Sequence, residues 1–168
     1  MCQGALALLQ AERYPDCVPA HEVIEVFPGD GFAAGEVAVA VGRAFHPLDA
    51  RCYRLTDGVT GASVVVTGDT AYHEGLVEFA RDCDVLVHEA AAAPSAAVAD
   101  LQRYLHSRPQ DAARVAQEAG ASALALVHYA AADGAAILAR AKEVFPNARL
   151  VKRGQRLQLM GRGQAAWI

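Results

Sequence analysis

From Glu22 onward the apolar positions fall in short runs that alternate with polar ones, and each run is closed by turn chemistry. The alternation predicts strands over His21 to Phe27, Glu36 to Phe45, Arg51 to Thr56 and Ala62 to Thr67. They are separated by Pro28-Gly29-Asp30-Gly31, by His46-Pro47-Leu48-Asp49 and by Asp57-Gly58. This first part reads as a β meander. After Asp69 the period lengthens. Helices are predicted over Tyr72 to Arg81, Pro109 to Ala119 and Gly134 to Val144, with strands at Asp84 to Val87, Ala123 to Val127 and Arg149 to Lys152 between and after them. Alternating helix and strand implies βαβ units and parallel pairing, so the fold class is α/β. Ser107, followed three residues later by Gln110, predicts a capping box with Pro109 in the first turn, and Gly120 closes that helix. Gly68 lets the chain turn sharply into Asp69-Thr70, where Thr70 can cap the next helix.

Composition narrows the class. A chain of 168 residues with 54% hydrophobic content is expected to form one domain, 1–168, with a sizeable core. A net charge of -4 and a pI near 5.8 argue against a dedicated nucleic-acid binder. Lys152, Arg153, Arg156 and Arg162 then read as solvated surface, and nucleic acid is not an expected partner. Cys2, Cys17, Cys52 and Cys83 form no CxxC pair, and no secretory signal or membrane-length apolar run is present. Free thiols in a reducing cytoplasm, with no membrane partner, are the expectation.

Four strand-like runs end on side chains suited to metal binding or proton transfer: His46, Asp69, His88 and His128. In α/β proteins the carboxyl ends of buried strands open onto one crevice, so residues in that phase converge although they are distant in sequence. Each position has an ordinary structural reading as well. Asp69 is also a good helix cap. Glu89 follows a strand that must be buried, where a carboxylate is costly without a partner or a task, and His106 is the candidate partner. A structural salt bridge beneath a loop accounts for that pair equally well.

The stretch Val64-Val65-Val66-Thr67-Gly68-Asp69-Thr70, followed by Leu76 to Ala90, His106-Ser107, Leu124 to His128 and Val144-Phe145-Pro146-Asn147, resembles the later half of the metallo-β-lactamase fold. The likeness is to its ribonuclease Z-like branch and covers about Glu22 to Leu159. It implies an αββα sandwich, here partial, and a zinc-dependent hydrolase. By the resemblance His46 and His128 ligate metal, Asp69 bridges two zinc ions, and Glu89 with His106 holds and delivers a proton to the leaving group. His88-Glu89-Ala90-Ala91 resembles the branch's His-Glu-Ala-Thr motif, and His106-Ser107-Arg108 its His-Ser-Thr motif.

Two departures temper that reading. The family's HxHxDH cluster is absent from the chain, so His46, Asp69 and His128 are expected to hold at most one zinc ion, weakly, and activity of the chain alone is doubtful. The chain then reads as a truncated gene, a fragment, or a protein completed by another chain, and its inner strand face at Val39, Val41, Val64, Val66 and Leu126 is expected to stay partly uncovered, favouring a homodimer or a partner half. Second, the interval from His46 to Asp69 has room for a hairpin and none for a tRNA-gripping arm. A general hydrolase of small esters or phosphodiesters is therefore favoured. The alternatives are a non-catalytic remnant serving as an interaction module, or part of a tRNA 3'-processing endonuclease.

Overall fold

The computed structural model describes residues 24–167. The chain forms β1 (Gly31–Ala34), β2 (Val37–Arg43), β3 (Arg51–Asp57) and β4 (Ser63–Val66), then α1 (Glu74–Phe79), β5 (Val85–Glu89), α2 (Val98–Tyr104), α3 (Pro109–Ala119), β6 (Ala123–Val127), a 3-10 turn at Ala131–Asp133, α4 (Gly134–Val144), β7 (Ala148–Leu150) and the hairpin β8 (Leu157–Gly161) and β9 (Gln164–Trp167). The α/β class read from the sequence is the class observed. Strands β1 to β7 make one sheet in chain order, antiparallel from β1 to β4 and parallel from β4 to β7.

Connection length explains the change of direction. Short turns join antiparallel neighbours, whereas a parallel neighbour needs a crossover, which here is helical each time. Three successive crossovers step the same way along the sheet. Because each is right-handed by the general rule, all their helices fall on one face. That face holds the main core: Val65, Leu86, Leu124 and Leu126 from the strands meet Leu76, Ala112, Val115, Ala116 and Ile137 from the helices. The alanines of α3 let the helix lie close to the sheet. On the other face the β8–β9 hairpin brings Leu157, Leu159 and Trp167 against Val85, Ala123 and Ala125. Covered on both sides, β5 and β6 are apolar at nearly every position.

Several expectations are corrected. Residues 21–23 of the first predicted strand lie outside the described residues, and 24–27 form no strand; the first strand is instead Gly31–Ala34, inside and beyond the predicted turn. It pairs across Gly35 (φ 63°) with β2, a turn that needs a left-handed residue. Helix α1 starts later than predicted and is capped by His73, whose Nδ1 accepts from Leu76 N at 3.1 Å, rather than by Thr70. The capping box of α3 lies one residue on: Asp111 accepts from the backbone N–H of Arg108 at 3.1 Å and binds its guanidinium, because Ser107 is held elsewhere. Leu126 packs on the helix side and not on the inner face. On that inner face Leu55 and Val66 are 37% and 36% exposed, while Val39 and Val41 are buried.

Gly42 marks the tightest point between sheet and helices, since a Cβ there would lie 2.5 Å from Cys52 Sγ and 2.8 Å from the Phe79 ring. Gly42→Ala is therefore expected to destabilise the fold by about 1–3 kcal/mol, read as a lower urea midpoint at unchanged slope.

Candidate active site

The carboxyl edge of the parallel strands carries the candidate chemistry, and irregular backbone delivers it. Gly68 has φ 62°, and a Cβ on it would lie 3.3 Å from the Arg51 carbonyl, so the turn that presents Asp69 requires glycine. Leu105 ends α2 in the left-handed region at φ 54° and presents His106. His128 itself has φ 47° directly after β6. Left-handed backbone at a non-glycine residue costs about 1–3 kcal/mol and persists where surrounding structure enforces it.

That enforcement comes from Thr70, Glu89 and Ser107, all buried. Oε1 of Glu89 accepts from Thr70 N at 3.2 Å, Ser107 N at 3.0 Å and His106 Nδ1 at 2.9 Å, and Oε2 accepts from Ala91 N at 2.7 Å. Ser107 Oγ donates to the Thr70 carbonyl at 2.7 Å. Thr70 Oγ1 in turn accepts from Phe45 N at 2.8 Å, and Ala71 N donates to the Phe45 carbonyl at 2.9 Å. The loop bearing His46, the corner bearing Asp69 and the loop bearing His106 are thus tied into one unit.

The result is a cluster. His46, Asp69 and His106 each offer a ligand atom within 4.8 Å of the others'. His128 joins through a 2.8 Å bond from Nδ1 to Asp69 Oδ1, and its ring is 5.7 Å from that of His106, which is 5.2 Å from that of His46. Nitrogen and carboxylate donors so placed fit one divalent ion of the zinc type. His88 does not join them. It lies within β5, fully buried under the helices, with Nδ1 2.8 Å from the Glu89 carbonyl. The sequence pattern missed this because β5 runs two residues further than predicted. His73 serves as a cap, and the free thiols of Cys52 and Cys83 are core groups whose burial pushes them up to about 11 and about 12, far from metal chemistry. His21, Cys2 and Cys17 lie outside the described residues.

Residues 4–129 match a family model described as "Beta-lactamase superfamily domain". The chain belongs to the beta-lactamase superfamily. Among curated relatives, Ribonuclease Z of Geobacillus kaustophilus is 45% identical over 96 residues, 54% of this chain and 30% of that protein. The metallo-beta-lactamase fold protein YhfI from Bacillus subtilis superposes with a TM-score of 0.71 at 23% identity, over 94% of this chain and 62% of that one. Human tRNase Z, short form, gives a TM-score of 0.57 at 23% identity over 72% of this chain and 42% of that one. The superfamily and its ribonuclease Z-like branch are those the motifs resembled. The chain spans between 29% and 45% of the length of the first curated relatives it matches.

These names correct one expectation. Several of the relatives are named Ribonuclease Z, and the expectation that nucleic acid is no partner, drawn from net charge, stands against those names. Net charge averages over a chain whose charges are unevenly spread. Among the described residues no helix is long and apolar enough to cross a membrane.

Two measurements check the site. After dialysis the chain is expected to retain at most one zinc ion, with Asp69→Ala abolishing binding because Asp69 is the carboxylate of the donor cluster; metal analysis decides. Stability should also follow pH. Burial lowers the pKa of His88 and of His73 from the ordinary histidine value, so both stay neutral when folded and take up a proton below about pH 6.5 when unfolded. The stabilisation is complete above that pH and is lost as pH falls through the window below it. Urea midpoints should drop between neutral and mildly acidic pH, and His88→Gln should flatten the dependence.

Proposed function

We propose that the chain is the site-bearing part of a zinc-dependent phosphodiesterase of this superfamily, with RNA as the substrate class that its curated relatives' names suggest. The observation that carries the proposal is the His106–Glu89 pair set against the His46, Asp69 and His128 donors. His46, Asp69 and His128 would hold the metal, which when bound supplies Lewis acidity toward a phosphoryl oxygen and a more acidic water.

The chain's own residues divide the remaining work. Glu89 is 1% exposed and fully engaged, so it touches no substrate and acts as a positioning residue. By accepting from Nδ1 it fixes the His106 tautomer and turns Nε2 toward the cluster. In hydrolysis, water adds to phosphorus, the bond to the leaving oxygen breaks, and protonated His106 gives its Nε2 proton to the departing alkoxide. The proton shed by the water restores the balance. With Oδ1 of Asp69 held by His128, its other carboxylate oxygen would be the one to hold the metal.

A chain without HxHxDH offers too few ligands for two metals, which supports slow turnover by the chain alone. Ester hydrolysis is a second reading, because the same oxygen-activating geometry serves an acyl carbon. The test is zinc-dependent turnover of bis(p-nitrophenyl) phosphate beside p-nitrophenyl acetate. Glu89→Gln is expected to lower kcat about 10–100-fold, since an amide sets an N–H against N–H donors whichever way it is turned. Because p-nitrophenolate leaves without a proton, the proton-delivery role is read on a dinucleotide, whose leaving group is an alkoxide, and turnover of that substrate surviving His106→Ala would remove the role.

A further inference from the structure

Charge in this chain is segregated. After Glu143 there is no Asp or Glu, yet Arg149, Lys152, Arg153, Arg156 and Arg162 lie there. These five and Lys142 are exposed, and none forms an ion pair among the described residues. Elsewhere Arg51, Arg81, Arg108, Arg114 and Arg140 are each paired with a carboxylate. Unneutralised cations on one flank of an acidic protein create a local positive field that the net charge conceals.

Three of these cations, Lys142, Arg149 and Lys152, line a groove. Between α4, β7 and the β8–β9 hairpin lies a cavity of about 500 Å3 lined by Lys142, Asn147, Arg149, Lys152, Gln155 and Trp167, among others. The Arg149 guanidinium lies 5.9 Å from the centre of the Trp167 ring, and Trp167 is half-buried, anchored on the hairpin side of the sheet. The groove follows the edge strand β7, which is tied to β6 at its carboxyl end. Leu126 pairs with Leu150, and beyond the ladder Val151 N donates to the Leu126 carbonyl at 3.0 Å while Tyr129 Oη donates to the Val151 carbonyl at 3.0 Å.

We propose that this groove binds single-stranded RNA, with the backbone along Lys142, Arg149 and Lys152 and a base against Trp167. The proposal rests on the phosphodiesterase reading above. Phosphates suit the cations, and the amides of Asn147 and Gln155 suit base edges. A single strand is required because an aromatic ring stacks only on a base whose face is free. An acidic polypeptide would satisfy the cations but leave the ring and the amides without purpose.

The experiment uses the full chain in EDTA, so that binding is separated from turnover, with a short fluorescein-labelled oligouridylate. Because the chain contains a single tryptophan, its intrinsic fluorescence reports on this groove alone. Saturable quenching matching the anisotropy curve is expected. Arg149→Ala with Lys152→Ala should weaken binding about tenfold and make the salt dependence shallower by about 1.4 in log–log slope. Trp167→Leu should weaken it about tenfold, with Trp167→Phe recovering most of the loss. Arg140→Ala, on the same helix but ion-paired, should change nothing. Unquenched tryptophan, an unaffected double variant, or equally tight polyglutamate binding would overturn the proposal. Loss of bis(p-nitrophenyl) phosphate turnover with RNA binding intact would overturn only the phosphodiesterase reading.

Discussion

The candidate site depends on one buried carboxylate. Glu89 is withdrawn from water at the end of a central strand, and a charge so placed is tolerated only when its oxygens are occupied by donors. Three backbone N–H groups and the His106 ring occupy them. The donors come from three separate segments, the Thr70 corner, the turn at Ala91 and the His106–Ser107 loop, so satisfying the charge draws those segments together. The backbone geometry of the Asp69 corner and of the His106 loop follows from that requirement.

Thr70 carries the constraint outward. Its N–H meets Glu89, its carbonyl accepts from Ser107, and its hydroxyl holds the Phe45 amide. A residue that reads from sequence as a helix cap is thus a junction among three segments. The cap is supplied by His73 instead, whose Nδ1 accepts from Leu76 N at the open end of α1 while its Nε2 is buried without a partner. Behind this network the sheet is held by apolar packing against the helices, and Gly42 sets how closely they approach. Rigid strands and a satisfied buried charge together place side chains of half-exposed loops within ligand distance of one another.

Burial also sorts the histidines by task. His88 and His73 are pushed toward the neutral form by desolvation and serve the fold. His46, His106 and His128 stay in contact with solvent at the strand edge, where substrate and metal have access.

Hydrophobic period and turn residues alone determined the meander, the switch to helical crossovers and the parallel half of the sheet, because these depend on local propensity and on connection length. Strand-end phase also marked His46, Asp69 and His128, and the cost of burying Glu89 pointed to His106. Tertiary structure alone decided what lay beyond local reach. It removed His88 from the edge by extending β5, moved the caps of α1 and α3, sent Leu126 to the helix side, and brought His106 within ligand distance of His46 and Asp69. Each of these turns on register or on a hydrogen bond between distant segments, and one residue of register carries a side chain to the other face of a sheet.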